Sequence, residues 1–393
     1  MKVSFLIVLI VAVVAFDNGL GLTPPMGFNT WNKFHCKIDE KLARDTADAM
    51  VNLGLLELGY EYMNLDDCWQ VARDNTTKVI IEDPKTFPSG MKALADYVHS
   101  KGLKFGVYSD AGTMTCQKRP GSLGFEEVDA NTYAEWGVDY LKYDNCNNEG
   151  IIPEHRYPPM ADAFKNAKRT MFLSMCEWGQ NKPAEWARLT GNSWRTTGDI
   201  KDTWDSMIGI CDKNEPLWRA AGPGGWNDPD MLEVGNGGMT YDEYKTHFSL
   251  WSIMRSPLLI GCDLTKATEE TLEILKNTEI IALNQDRLGV QGHRVWSDKG
   301  GNKEVKGDIP TGNIEVWSEP LIDGSYAIVL FNRGTEPADI TATFTDCGMR
   351  ENTSAYVRDL WKHEDLGVFE KEFTVKGIAK HAVVVIKATP KLM

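Results

Sequence analysis

Between residues 25 and 261, short apolar runs alternate with stretches whose apolar residues are spaced three and four apart. The runs at 26–29, 62–66, 104–109, 140–144, 172–176, 193–196, 225–231 and 258–261 are brief, rich in aliphatic and aromatic residues and bounded by turn formers, so each predicts a buried strand. The stretches at 39–53, 91–101, 160–168, 202–211 and 240–254 predict amphipathic helices. Such alternation implies a parallel sheet with helical crossovers, and eight strands in one stretch predict a (β/α)8 TIM barrel in preference to an open sheet. After residue 290 the rhythm changes. Runs at 314–319, 326–332, 340–344, 355–359, 369–375 and 382–386 are punctuated by Gly, Asp, Asn and Pro, with no helical spacing between them. They predict a C-terminal antiparallel β-sandwich. The fold class is therefore α/β, with a barrel over 16–290 and a sandwich over 291–393.

Residues 1–15 belong to neither pattern. Lys2 precedes an apolar run at 3–15 that is shorter than the roughly 20 residues a bilayer span needs, and small Ala15 offers a cleavage site. A signal peptide is expected, and with it the secretory pathway, ending outside the cell or in a lysosome or vacuole. In that setting the eight cysteines become disulfide candidates, and the sequons at Asn75 and Asn352 become glycosylation candidates. The formal charge of −14 and pI near 5.1 argue against nucleic acid or an anionic membrane as a partner. A neutral ligand suits the chain better, with no membrane span in the mature protein.

The carboxyl ends of the predicted strands add chemistry to the pattern. Trp31 follows the first, Asp66 and Asp67 the second, Tyr108 and Asp110 the third and Asp144 the fourth. Glu177 and Trp178 follow the fifth, Arg195 and Asp199 the sixth, and Asp228 and Asp230 lie near the seventh. In a barrel these ends converge on the face where active sites form. No Gly-x-Ser-x-Gly, Walker loop, His-Glu-x-x-His or paired Cys-x-x-Cys is present, and the seven His are scattered. Carboxylates and aromatics without such motifs are what glycoside hydrolysis uses.

Retention at a glycosidic carbon needs an ionised carboxylate and a protonated carboxyl roughly 5 to 5.5 Å apart. Asp144 is the better nucleophile, because Lys142 shares its strand face and its charge favours the carboxylate. Asp199, in Trp194-Arg195-Thr196-Thr197-Gly198-Asp199, is the candidate acid/base, with an affinity for protons expected to rise beside anionic Asp144; the structural alternative is a cap for the helix predicted at 202–211. Trp31, Tyr108 and Trp178 can cover sugar C–H faces, and Asp66 with Asp67 can accept from vicinal hydroxyls where strand alternation ends.

Several ordered motifs together resemble glycoside hydrolase family 27, whose eukaryotic members include the melibiase-type α-galactosidases. They are Asp17-Asn18-Gly19-Leu20, Thr23-Pro24-Pro25-Met26-Gly27, Leu65-Asp66-Asp67-Cys68-Trp69, Tyr108-Ser109-Asp110-Ala111-Gly112, Tyr140-Leu141-Lys142-Tyr143-Asp144-Asn145-Cys146 and Trp226-Asn227-Asp228-Pro229-Asp230-Met231-Leu232. The resemblance runs from about Phe16 to the end and is strongest through Gly289. It implies a retaining, cofactor-free and metal-free enzyme on a barrel plus sandwich, with Asp144 as nucleophile and Asp199 as acid/base. It also implies that Asp66, Asp67, Lys142 and Arg195 bind galactose hydroxyls, with Trp31, Tyr108 and Met231 lining the pocket. Glu177 stands where the α-galactosidases have an acid close to the sugar 2-hydroxyl and the family's α-N-acetylgalactosaminidases have small residues, which favours galactose and leaves N-acetylgalactosamine as the alternative. Cys36–Cys68 and Cys116–Cys146 resemble the family's two common bridges. Cys176 is expected as a free buried thiol, as in the plant enzymes, since Asn192 stands where the animal enzymes have its partner; Cys211, Cys262 and Cys347 have no assigned partner. The implied partners are galactosides of oligosaccharide, galactomannan or glycolipid, and a homodimer is the assembly entertained for the chain itself. A galactose-binding protein without catalysis would lack Asp144 or Asp199, and both are present.

Overall fold

The computed structural model describes residues 16–300 and 309–391. The leader expected at 1–15 lies outside the described residues. Eight parallel strands form one curled sheet: β1 (Met26–Asn29), β2 (Tyr62–Asn64), β3 (Lys104–Asp110), β4 (Tyr140–Asp144), β5 (Phe172–Cys176), β6 (Ser193–Arg195), β7 (Trp226–Asp228) and β8 (Leu258–Ile260). Consecutive strands are neighbours and β8 pairs with β1. The remaining seam is closed just beyond β7, where the Leu232 N–H donates to Leu259 O (2.8 Å) and the Gly261 N–H donates to Leu232 O (3.1 Å). All eight predicted strands are found. β2 and β7 are shorter than expected, because the chain leaves the ladder before Asp66 and before Asp230, freeing those acids from strand alternation.

Alternation along the strands sorts the residues. Leu141 and Tyr143 of β4, with Leu173 and Met175 of β5, join the apolar layer beneath the helices, whereas Tyr140 and Phe172 stack inside the barrel at 4.9 Å. Gly106 of β3 admits them: a Cβ there would meet Asn64 Oδ1 at 1.9 Å and Tyr140 Cβ at 3.0 Å. Above this aromatic floor, the lumen residues become polar.

The predicted helices appear at Glu40–Asn52, Met91–Ser100, Pro158–Asn166, Trp204–Asn214 and Tyr241–Ile253. Three begin on side-chain caps: Asp39 accepts from the Leu42 N–H at 2.7 Å, Thr203 accepts from the Ser206 N–H, and Thr240 forms a capping box with Glu243. A further helix, Glu126–Trp136, has no apolar stripe to announce it, since its buried positions include Asp129 and Thr132; Asp129 is paired there with Arg73.

The C-terminal part has β9 (His293–Ser297), β10 (Ile314–Pro320), β11 (Tyr326–Asn332), β12 (Ala338–Thr343), β13 (Ser354–Asp359), β14 (Glu364–Glu370), β15 (Glu372–Ile378) and β16 (Val383–Pro390). A six-stranded sheet, ordered β9-β10-β11-β16-β13-β14, faces the pair β12-β15 across its own apolar core. One expectation is corrected. The single strand predicted at 369–375 straddles a bend at Lys371 (φ 64°) where the chain passes from β14 in one sheet to β15 in the other, and apolar Phe369 and Phe373 on either side of it, edge to face at 4.9 Å, hide the break from the sequence pattern. The sandwich is joined to the barrel by buried ion pairs, Arg255 with Glu319 (3.0 Å) and Arg294 with Glu215 (3.4 Å), and by Trp204 stacked on His381 at 3.8 Å.

Candidate active site

At the carboxyl ends of β1 to β7, two chains of charge meet in the lumen. The first runs from β1 to β4. Asn29 Nδ2 donates to Asp66 Oδ2 (2.9 Å), which also receives Lys142 Nζ (2.8 Å). Lys142 and Asp144 share the inward face of β4, but the ammonium contacts Asp66; the hydroxyl that donates to Asp144 Oδ2 is that of Tyr108, at 2.9 Å. Asn145 N–H donates to Asp144 Oδ1 (2.9 Å), and the carboxylate is nearly buried. Burial pushes the Asp144 carboxyl up, while the field of Lys142 and the Tyr108 hydroxyl oppose that rise. Lys142 therefore acts on Asp144 through space. Asp67 accepts from the Cys68 and Gln117 N–H groups (2.7 and 2.9 Å), yet burial outweighs these donors and lifts it to about 6.

The second chain runs from β5 to β7. Arg195, buried at the end of β6, directs Nη2 to Asp230 (2.9 Å), Asp199 (3.2 Å) and Thr197 O (3.2 Å), and Nη1 towards Cys176 Sγ (3.3 Å). Asp230 is fixed by the Ile200 N–H at 2.9 Å, and its own backbone lies at φ 85°. Burial lifts the neighbouring Asp228 to about 6 against the pull of Arg195. Asp199 contrasts with all of these, because its side chain is 67% exposed. What burial it has favours the neutral form, but Arg195 and Lys142 prevail and hold its carboxyl below the usual range. The expected rise beside Asp144 is thus reversed, because the Arg195 guanidinium in contact and the Lys142 charge outweigh burial. Nor is Asp199 a helix cap, since the following helix begins at Trp204 with Thr203 accepting from the Ser206 N–H.

The apolar candidates divide. Met231 and Trp31 join the cluster of Tyr62, Tyr140, Phe172 and Leu259 within the lumen, and Trp31 also meets His35 edge-on at 5.2 Å. Trp178 is half-buried at φ 64° beyond β5. Glu177 is bonded to none of the lumen charges named above, and its Oε1 is buried without a hydrogen-bond partner. Its buried Oε2 accepts from the Asn181 N–H (3.1 Å), and burial with the charge of Glu154 lifts it to about 8. Beside Asp199 opens a groove of about 410 Å³ bordered by Trp31, Asn32, Lys201, Glu233 and Asn236.

Cys36–Cys68 and Cys116–Cys146 are bonded, and Cys176, Cys211, Cys262 and Cys347 are free and buried. Among the described residues, one acid–cysteine group comes within metal-ligand reach, Asp110 with Cys116 and Cys146, but its sulfurs are joined in the disulfide and so are not thiolates. Asn75 and Asn352 are exposed. No helix among the described residues is long and apolar enough to cross a membrane. Asn29 and Asp230 join the site without a role assigned from the sequence. Asp230 stands among the strand-end acids in Asp228-Pro229-Asp230, but its partner Arg195 belongs to the preceding strand, so the pair is formed by the fold alone.

Comparison with known proteins agrees with this arrangement. Residues 23–286 match the melibiase family description "Alpha galactosidase A", and residues 311–388 match "Alpha galactosidase C-terminal beta sandwich domain". The chain is 53% identical over 376 residues to an α-galactosidase of Cyamopsis tetragonoloba, covering 95% of this chain and 88% of that one. α-Galactosidase I of Mortierella vinacea superposes with a TM-score of 0.88 at 40% identity, covering 95% of this chain and 98% of the other. The Saccharomyces cerevisiae α-galactosidase, solved with raffinose, gives 0.86 at 32% identity, with 96% and 99% covered. The chain belongs to the melibiase family, glycoside hydrolase family 27, and is a glycoside hydrolase.

Proposed function

We propose that this chain is an exo-acting α-galactosidase that releases terminal α-linked galactose with retention, through a galactosyl ester on Asp144. The observation that carries this reading is the unlike pair of carboxylates within a chain so close to enzymes named α-galactosidases: Asp144 desolvated on a strand, Asp199 facing solvent at the rim. In the first step an Asp144 oxygen bonds to the anomeric carbon as the bond to the leaving oxygen breaks, and Asp199 gives that oxygen its proton. In the second, Asp199 takes a proton from water, the water oxygen bonds to the anomeric carbon and the Asp144 ester breaks. A bound sugar would cover the exposed Asp199 side chain, and that desolvation works against the hold of Arg195 and favours the protonated acid.

Asp66, Asp67, Lys142 and Arg195 are the proposed hydroxyl ligands, with Trp31, Tyr108, Trp178 and Met231 forming the walls. The groove beside Asp199 offers room for the leaving group, which fits a galactoside such as the raffinose bound to the yeast relative. Glu177 is assigned the side of the 2-hydroxyl, where its bulk would crowd an acetamide. The domain division at 290/291 is part of the same reading, since β9 already pairs with β10. So is a secretory destination, outside the cell or vacuolar, with glycans on Asn75 and Asn352. Hydrolysis of nitrophenyl α-galactoside beside nitrophenyl α-N-acetylgalactosaminide tests the function. The galactoside should be the faster substrate; preference for the acetamido sugar, or no turnover of either, would contradict the reading.

A further inference from the structure

Asp110 closes β3 as Asp144 closes β4, and the two are partners in the parallel ladder, so their side chains enter the lumen abreast. Asp110 is fully buried. Its Oδ2 accepts from the Cys146 N–H at 3.0 Å, while its Oδ1 is buried without a hydrogen-bond partner. The Cys116 sulfur, 3.9 Å from Asp110 Oδ2 and 3.6 Å from Asp144 Oδ2, is bonded to Cys146 and has no proton to give either. The cations nearby are committed elsewhere. Lys142 is bound to Asp66, and the Arg156 guanidinium donates to Ala111 O, Ile151 O and Asn145 Oδ1. The other titratable groups within electrostatic reach of Asp110 are the phenols of Tyr108, Tyr143 and Tyr157 and the Asp144 carboxylate itself.

Two buried carboxylates abreast with no cation between them cannot both stay ionised. Asp144 has the Tyr108 hydroxyl, the Asn145 N–H and the field of Lys142 to stabilise its charge. Asp110 is the one left with an unpartnered oxygen. Burial and the Asp144 charge push it up to about 9, against the weaker pull of the Cys146 and Gly112 N–H groups and of the Arg156 charge.

We propose that Asp110 is a positioning residue for the reaction, a neutral carboxylic acid whose Oδ1–H is given to the Asp144 carboxylate. This inference rests on the reading of Asp144 as nucleophile. The O–H fixes the orientation of the attacking oxygens, and it meets the carboxylate charge that returns to Asp144 when the ester breaks. Ionisation of Asp110 in alkali removes that donor and sets a second negative charge beside the first.

The test compares Asp110→Asn, which keeps a neutral donor of the same shape, with Asp110→Ala, using kcat and KM against pH on the nitrophenyl galactoside. Asp110→Asn should retain at least about a third of kcat in mild acid and lose activity less steeply in alkali, whereas Asp110→Ala should lose about tenfold or more in kcat with KM changed less than about threefold. An Asn variant as impaired as the Ala variant, or with the wild-type alkaline limb, would overturn the proposal. Infrared difference spectra of wild type and Asp110→Asn in mild acid give a readout independent of turnover and of the fate of the Ala variant. Loss of a protonated-carboxyl C=O band on substitution upholds the neutral acid, and an unchanged spectrum overturns it. Failure of wild-type turnover alone would count against the galactosidase reading and leave the infrared result to stand.

Discussion

Asp144 closes a strand bound on both sides into the barrel, whereas Asp199 lies four residues beyond the end of β6 on a solvent-facing turn. Both carboxyls are flanked by a basic residue two to four positions earlier, yet burial lifts the first and Arg195 holds down the second. The difference teaches that spacing in sequence does not decide which cation reaches which acid. Lys142, two residues from Asp144, is taken by Asp66, while Arg195, four residues from Asp199, reaches it and Asp230 together. It also assigns roles. A nucleophile gains from a fixed, partly desolvated setting, and a group that must give and take protons gains from a setting that changes when substrate arrives.

The largest expected effect breaks the contrast at its rigid end. Asp144→Asn should lower kcat by about a thousandfold or more, with galactose affinity by calorimetry changed less than about threefold. Near-normal turnover would remove Asp144 from the reaction. Asp199→Asn should cost about a hundredfold or more with a sugar leaving group and much less with nitrophenolate, which needs no proton; equal losses on both substrates would remove Asp199 as the acid. Arg195→Gln tests the charge chain itself. It leaves Asp230 and Asp228 buried without their cation, and should cost about 3–5 kcal/mol in denaturant unfolding. With a sugar leaving group, the alkaline limb of activity, where Asp199 loses its proton, should also move upward as Asp199 is released. A stable variant with an unmoved limb would show that Arg195 does not set Asp199.

The smallest effect spreads over the whole molecule. Asp67 and Asp228 (about 6), Glu233 (about 7), Glu177 and Glu319 (about 8) and Asp110 (about 9) all bind protons more tightly folded than unfolded. Between the unfolded carboxyl value and each folded value, the folded state holds the extra proton, so stability is lost as pH rises through that window. Tm should therefore fall steadily from about pH 5 to about pH 9. A Tm that rises over this range would contradict the burial of these acids.

Much of this was legible in the sequence. The eight barrel strands, both disulfides and the free Cys176 all followed from pattern or resemblance, because strand alternation and motif order are local properties. What escaped was non-local. Glu126–Trp136 buries acid and small residues against Arg73, so it shows no stripe, and β9 pairs with β10 only after the chain has turned back. The bend at Lys371, where the chain changes sheets, has apolar residues on both sides. Asp230 and Asn29 became site residues only once the barrel brought them to Arg195 and Asp66.

The most direct measurement of the central claim, that these two carboxylates hold different roles, is azide rescue with the product anomer read by NMR. In Asp144→Gly, azide should occupy the emptied space and attack the substrate directly, giving β-galactosyl azide. In Asp199→Gly, it should attack the galactosyl ester on Asp144 and give α-galactosyl azide. The opposite assignment of anomers, or the same anomer from both variants, would contradict the account.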